Sequence, residues 1–153
     1  MMAYFIYLWI GGIGLLIVVS WLKELKRIPE LKAMAKRRGF SLLGSALSHS
    51  VPLQGTPFEF ATSTWNVIEG VSNGIRFVAF DCRVGHGKGS WRRTVIAAKS
   101  SDDVFGSTKF NRDLTVDYSG GWVLLYQPKK LSFIPAGLMP ALELEAHLDS
   151  IRA

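Results

Sequence analysis

Residues 65–99 read WNVIEGVSNGIRFVAFDCRVGHGKGSWRRTVIAAK, and their pattern decides the fold class. Asn73-Gly74 is a strong cue for a tight hairpin turn, because both residues tolerate the positive φ that such turns demand. Runs rich in Val, Ile, Phe and Trp flank it, ending at Gly70 and starting at Ile75. Such side chains fit a pleated, half-buried surface. A glycine-rich turn follows at 85–90, and a third strand runs from Trp91 to Lys99. Three successive strands joined by short turns read as an antiparallel meander.

Downstream, Leu114 to Tyr118 and Gly121 to Gln127 flank Ser119-Gly120-Gly121 as another hairpin. Between them and the meander lies a polar loop, 100–112, with Asp102 and Asp103. Pro140 to Arg152 reads as a C-terminal helix whose Leu142, Leu144, Leu148 and Ile151 cover one sheet face. Upstream, Phe58 to Thr62 begins the first strand. Residues 41–57, with Pro52, Gly55 and Pro57, read as an irregular connection that leaves His49 exposed. Lys23 to Arg38 has helical spacing, with Leu25, Ile28, Leu31, Met34 and Ala35 three or four apart. Pro29 lacks a donor for the helix interior, which predicts a kink at Ile28-Pro29 and a second helix ending at Gly39.

The first 22 residues carry no charged side chain. Ala3 to Leu22 is long enough, at about 1.5 Å per residue, to match a hydrocarbon core of about 30 Å. Tyr4, Tyr7 and Trp9 stand near one end and Trp21 at the other, as interfacial aromatics do. No small-residue cleavage pattern marks a signal peptide. Gly11, Gly12 and Gly14 would let another helix pack closely. Of the net charge of +6, five units fall between Lys23 and Arg38. These basic residues (Lys23, Lys26, Arg27, Lys32, Lys36, Arg37, Arg38) predict, by the positive-inside rule, an N-terminus outside and a C-terminal domain in the cytoplasm. They also suit anionic headgroups at a membrane surface.

The expected class is therefore α+β: one N-terminal transmembrane helix, then a meander of about five strands covered by a C-terminal helix. Its units are a span at 1–22, a basic juxtamembrane helix and linker at 23–57, and a domain at 58–153. From Gly39 onward the chain is nearly neutral, which argues against nucleic acid.

Residues 80–94 hold the most conspicuous chemistry, with Arg83, Lys88, Arg92 and Arg93 around a glycine-bearing tip. Glycines can turn N–H groups toward an anion, and the cations supply charge. This is an anion or headgroup candidate. It is not a Walker A loop, since Lys88 precedes Gly89, position 83 is Arg, and a strand follows. Cys82 shares a strand face with Val78, Phe80 and Val84, so it reads as core and not as a nucleophile paired with His86. As the only cysteine it forms no intrachain disulfide. His49, His86 and His147 lack metal-ligand spacing. His147 reads as a solvated partner of Glu143. No catalytic group, metal or cofactor is expected.

NVIEG (66–70), GIRFVAFDCRVGHGKGS (74–90), RRTVIA (92–97), GGWVLLYQPKK (120–130) and LMPALELEAHL (138–148) together resemble a group of uncharacterised bacterial membrane-anchored proteins. Cys82 departs from that pattern, which has an aromatic there. The resemblance implies a bacterial inner-membrane setting and no established activity. The expected function is a membrane-tethered, non-enzymatic accessory or scaffold protein that binds a protein partner or membrane complex. The alternative is a headgroup or phosphate sensor at the hairpin 83–93.

Overall fold

The computed structural model describes residues 2–45, 47, 51–72, 74–99, 114–128 and 138–151, less the side chains of 2–6, 8, 10, 20 and 88. The expected loop at 100–112 and His49 lie outside these residues. Helix α1 is Met2–Arg38, followed by strands β1 (Ser41–Gly44), β2 (Ala61–Ser72), β3 (Ile75–Val84) and β4 (Trp91–Lys99). Strands β5 (Thr115–Ser119) and β6 (Trp122–Tyr126) precede the C-terminal helix α2, Ala141–Ser150. The class is α+β with one six-stranded antiparallel sheet, ordered β1-β2-β3-β4-β6-β5.

Two strand expectations change. Ser41–Gly44 is a strand and not part of an irregular connection. Gly39, at φ +68°, ends α1 and turns the chain back along β2, where Ser41 pairs with Glu69. The last hairpin also departs from a simple meander. Strand β6 pairs with β4, and β5 takes the edge. Burial explains the swap: WVLLY is buried at all five positions, whereas TVDYS is only partly covered.

Helix α1 passes through Pro29 as one element, so the second helix expected to begin there is the continuation of the first. One missing donor is outweighed by what holds the helix beyond it. Leu31, Met34 and Ala35 are buried against the sheet and α2. Arg38 donates to Asp149 at 2.7 Å and to Glu145 at 2.9 Å, tying the end of α1 to α2.

The expected membrane span is also corrected. Among the described residues, no helix is long and apolar enough to cross a membrane. The transmembrane, single-pass and inner-membrane assignments, with the N-terminus outside and the domain cytoplasmic, fall with it. The topological signal weakens for a second reason. Arg27, Arg37 and Arg38 are engaged in intramolecular ion pairs with Asp81, Glu145 and Asp149.

Each sheet face has its own core. Ile68, Phe77, Ala79, Ile96 and Leu125 meet α1 and α2 on one face. Val67, Val78, Phe80, Cys82, Val95 and Leu124 lie on the other, under Val51 and Phe58. Cys82 is thus a core residue. Where β1 meets β2, Gly70 has no room for a side chain. A methyl there would overlap the ring of Phe40, which stands edge-on to Phe77 at 4.8 Å. Overpacking of this kind costs about 1–3 kcal/mol. Gly70→Ala should lower the unfolding free energy in urea by that amount, and an unchanged midpoint would show that Phe40 yields freely.

Candidate functional site

Strand alternation puts Phe77, Ala79, Asp81 and Arg83 of β3 on the face toward α1. Asp81 is only 1 % exposed, so its charge needs partners in place of water. Three elements supply them. Arg27 of α1, 6 % exposed, grips both carboxylate oxygens, with Nη2 donating to Oδ1 at 2.8 Å and Nη1 to Oδ2. Thr94, opposite Asp81 on β4, donates to Oδ1 at 2.7 Å. Asn66 of β2 donates to Oδ2 at 2.9 Å. The Arg27 Nε also donates to the Met139 carbonyl at 2.7 Å, and the Met139 N–H donates to Thr94 Oγ1 at 3.0 Å. No buried side-chain N or O among the described residues lacks a partner.

A bulge places Asn66. Trp65 pairs with Asp81 and Ile68 with Ala79, so three steps along β2 match two along β3. The extra residue turns locally, and Asn66 takes φ +52°, the one non-glycine with positive φ among the described residues. Asn tolerates that region better than most residues. The bulge also aims Trp65 and Ser63 toward α1, beside Arg83.

Above this network a cavity of about 310 Å3 opens between helix and sheet. Glu24, Arg27 and Ile28 line it from α1, Ser63, Trp65 and Asn66 from β2, Arg83 from β3 and Arg92 from β4, with Leu138 at the side. Arg92 Nη2 bonds Glu24 Oε1 at 2.6 Å.

The basic hairpin is split by the pleat. Arg83 and Arg92 are directly opposite on β3 and β4 and share the cavity. Arg93 goes to the other face, where its guanidinium lies 5.3 Å from the Trp91 ring centre and Nη1 donates to the Arg92 carbonyl at 2.9 Å. Burial lowers the Arg93 pKa, while the nearby thiol of Cys82 opposes that shift. Lys88 sits in a short 3-10 turn, Gly87–Gly89, and its side chain lies outside the described set. Of the four expected anion ligands, two converge.

The basic residues of α1 divide as well. Lys23, Lys26, Lys32 and Lys36 are exposed. Arg27, expected at a membrane surface, is instead buried on Asp81. Arg37 and Arg38 bond α2. Gly11, Gly12 and Gly14 lie on the exposed part of the helix with open space beside them. His147 is buried, its Nε2 3.6 Å from Glu143, and not solvated as expected.

Among the described residues, Cys82 and Tyr126 are both held in their protonated forms. Burial, with the nearby Asp81 carboxylate adding to it, pushes the Cys82 thiol up to about 12, and a thiolate is what attacks. Burial and a 2.6 Å hydrogen bond to Asp117 raise the Tyr126 phenol as well. Among the described residues no group of three His, Cys, Asp or Glu side chains could hold a metal.

The sequence reading missed Trp65, Asn66 and Glu24. A signal existed for Arg27 and Glu24. Leu31 and Met34 lie four and seven positions after Arg27, so the buried stripe of α1 points back to Arg27 and then to Glu24. No known protein family, curated protein or solved structure matches this chain. The resemblance to bacterial membrane-anchored proteins therefore stays an expectation.

Proposed function

We propose that this chain is a non-enzymatic accessory protein that docks an apolar helical partner protein on the N-terminal half of α1 and holds its α+β domain beside it. One observation carries this. Trp9, Ile13, Leu15, Leu16, Ile17, Val18, Val19 and Trp21 are all exposed on a helix continuous with the domain. Trp9 alone is 71 % exposed. Apolar surface this continuous marks an interaction site. The exposed side chains surround the helix, and the space beside Gly11, Gly12 and Gly14 admits a second backbone. A partner of apolar helices fits that shape. The far half of α1 is clamped by Arg27, Arg37 and Arg38, so whatever binds the near half is fixed relative to the sheet.

Native mass spectrometry of the full chain, purified from its own cells in mild detergent, tests this. A protein partner at fixed ratio is expected. It should be lost from a Leu16→Glu, Val19→Glu variant, whose substitutions put two charges on one face of the exposed helix and leave the domain core untouched. A lone chain covered by detergent, or a partner retained by the variant, would overturn the proposal.

A further inference from the structure

We infer that the cavity between α1 and the sheet binds a small organic monocarboxylate with a flat apolar body. This does not rest on the docking proposal, since the cavity and the exposed helical half are separate surfaces.

Charge at the cavity rim makes the case. Arg83 and Arg92 are directly opposite on adjacent strands and point to the same side. Like charges in that position repel. The fold supplies the rim with one carboxylate, Glu24, which bonds Arg92 at 2.6 Å. Beneath them Arg27 and Asp81 cancel each other. Among the described residues no carboxylate pairs with Arg83. Among the described residues the rim therefore keeps one uncompensated positive charge, beside a guanidinium already in contact with a carboxylate. A planar carboxylate can accept paired N–H groups from guanidinium, so these two side chains form a suitable clamp.

The rest of the cavity selects the body of the ligand. Trp65, Ile28 and Leu138 offer an indole and two apolar side chains, while Ser63 and Asn66 add polar groups. A volume of about 310 Å3 stands at the small end for a ligand pocket, which suits a small molecule. A single excess charge suits a monoanion better than phosphate, which carries about 1.5 to 2 negative charges when esterified. The floor is finished without a ligand, because all four bonds to Asp81 are made within the chain. Ligand binding thus acts on the rim, where the incoming carboxylate competes with Glu24 for Arg92.

That competition sets the sign of the test. Benzoate is titrated into the full chain by calorimetry, with inorganic phosphate in parallel. Saturable benzoate binding is expected, with phosphate weaker. Arg83→Ala, an exposed change, should weaken benzoate by about tenfold, as loss of a charged hydrogen bond does. Glu24→Gln should tighten it several-fold, which a general loss of structure would not produce. No saturable benzoate binding below about 10 mM, a range already weak for a specific ligand, would overturn the proposal. So would benzoate binding unchanged by Arg83→Ala, benzoate weakened by Glu24→Gln, or phosphate preferred over benzoate.

Discussion

Arg27→Met is expected to lower the unfolding free energy by about 3–5 kcal/mol, the cost of stranding one member of a buried ion pair. Asp81 is the reason. It lies in the middle of β3 with neighbours on both sides and cannot turn toward water. After the substitution it keeps the bonds from Asn66 and Thr94 but loses both from the guanidinium. The Met139 carbonyl also loses its donor, loosening the approach to α2. Asp81→Asn should cost less. Its removal frees Arg27, which stands on a helix at the edge of the cavity and can turn toward Glu24 and solvent. The ordering of these two variants, read from urea denaturation, separates a buried-charge penalty from simple loss of contact. A cost for Arg27→Met under about 1 kcal/mol, as for an exposed pair, would show that Asp81 is not sealed from water. Replacing both partners by apolar residues would not restore the wild type, because Asn66, Thr94 and Met139 would still have unmet hydrogen-bonding groups.

Much of this architecture follows from local pattern, and the exceptions share a cause. The β3–β4 pairing and α2 were readable because alternation and helical spacing are properties of neighbours along the chain. Strand β1 was not. Its four residues are exposed and show no alternation, and they are a strand because Gly39 and Phe40 bring them beside β2. The place of β6 inside the sheet was hinted by WVLLY, since a fully apolar run reads as a strand covered on both faces. Which strand it joins depends on the whole sheet. Pro29 argued for two helices from local chemistry alone, and the helix continues through it to the buried Leu31 and Met34. The candidate site was the least readable part. Arg83 and Arg92 stood out by composition, but their meeting with Trp65 and Glu24 needs a bulge and a crossing helix. No spacing rule records either. Arg27 was grouped with its basic neighbours because charge was counted by segment, whereas its role depends on the one helix face that meets Asp81.

Phe58→Ala is the second large effect, and it reports on the face of the sheet away from α1. Phe58 is fully buried, edge-on to Tyr126 at 4.7 Å and near Trp91 at 5.7 Å. It belongs to no helix or strand. It acts as the plug of a segment, 51–58, that covers this face without a ladder of backbone hydrogen bonds. Other ties hold the segment in place. Phe58 N–H donates to Thr56 Oγ1 at 3.2 Å, Ser119 Oγ donates to the Gln54 carbonyl at 2.9 Å, and Pro52 fills the space beside Gly120. None of these replaces a phenyl ring, so truncation should cost about 3–5 kcal/mol. The sole cysteine makes the opening measurable. Cys82 lies beneath this cover, fully buried, with its thiol pushed up to about 12 by burial, so it reacts only when the cover lifts. Where opening and closing are fast, labelling follows the population of the open form. Phe58→Ala should therefore raise the rate of Cys82 alkylation by about a hundredfold or more, at 1.36 kcal/mol per tenfold change. If labelling reports the same free energy as global unfolding in both the parent and the variant, the segment does not open by itself. Its packing then belongs to the same cooperative unit as the helices on the opposite face.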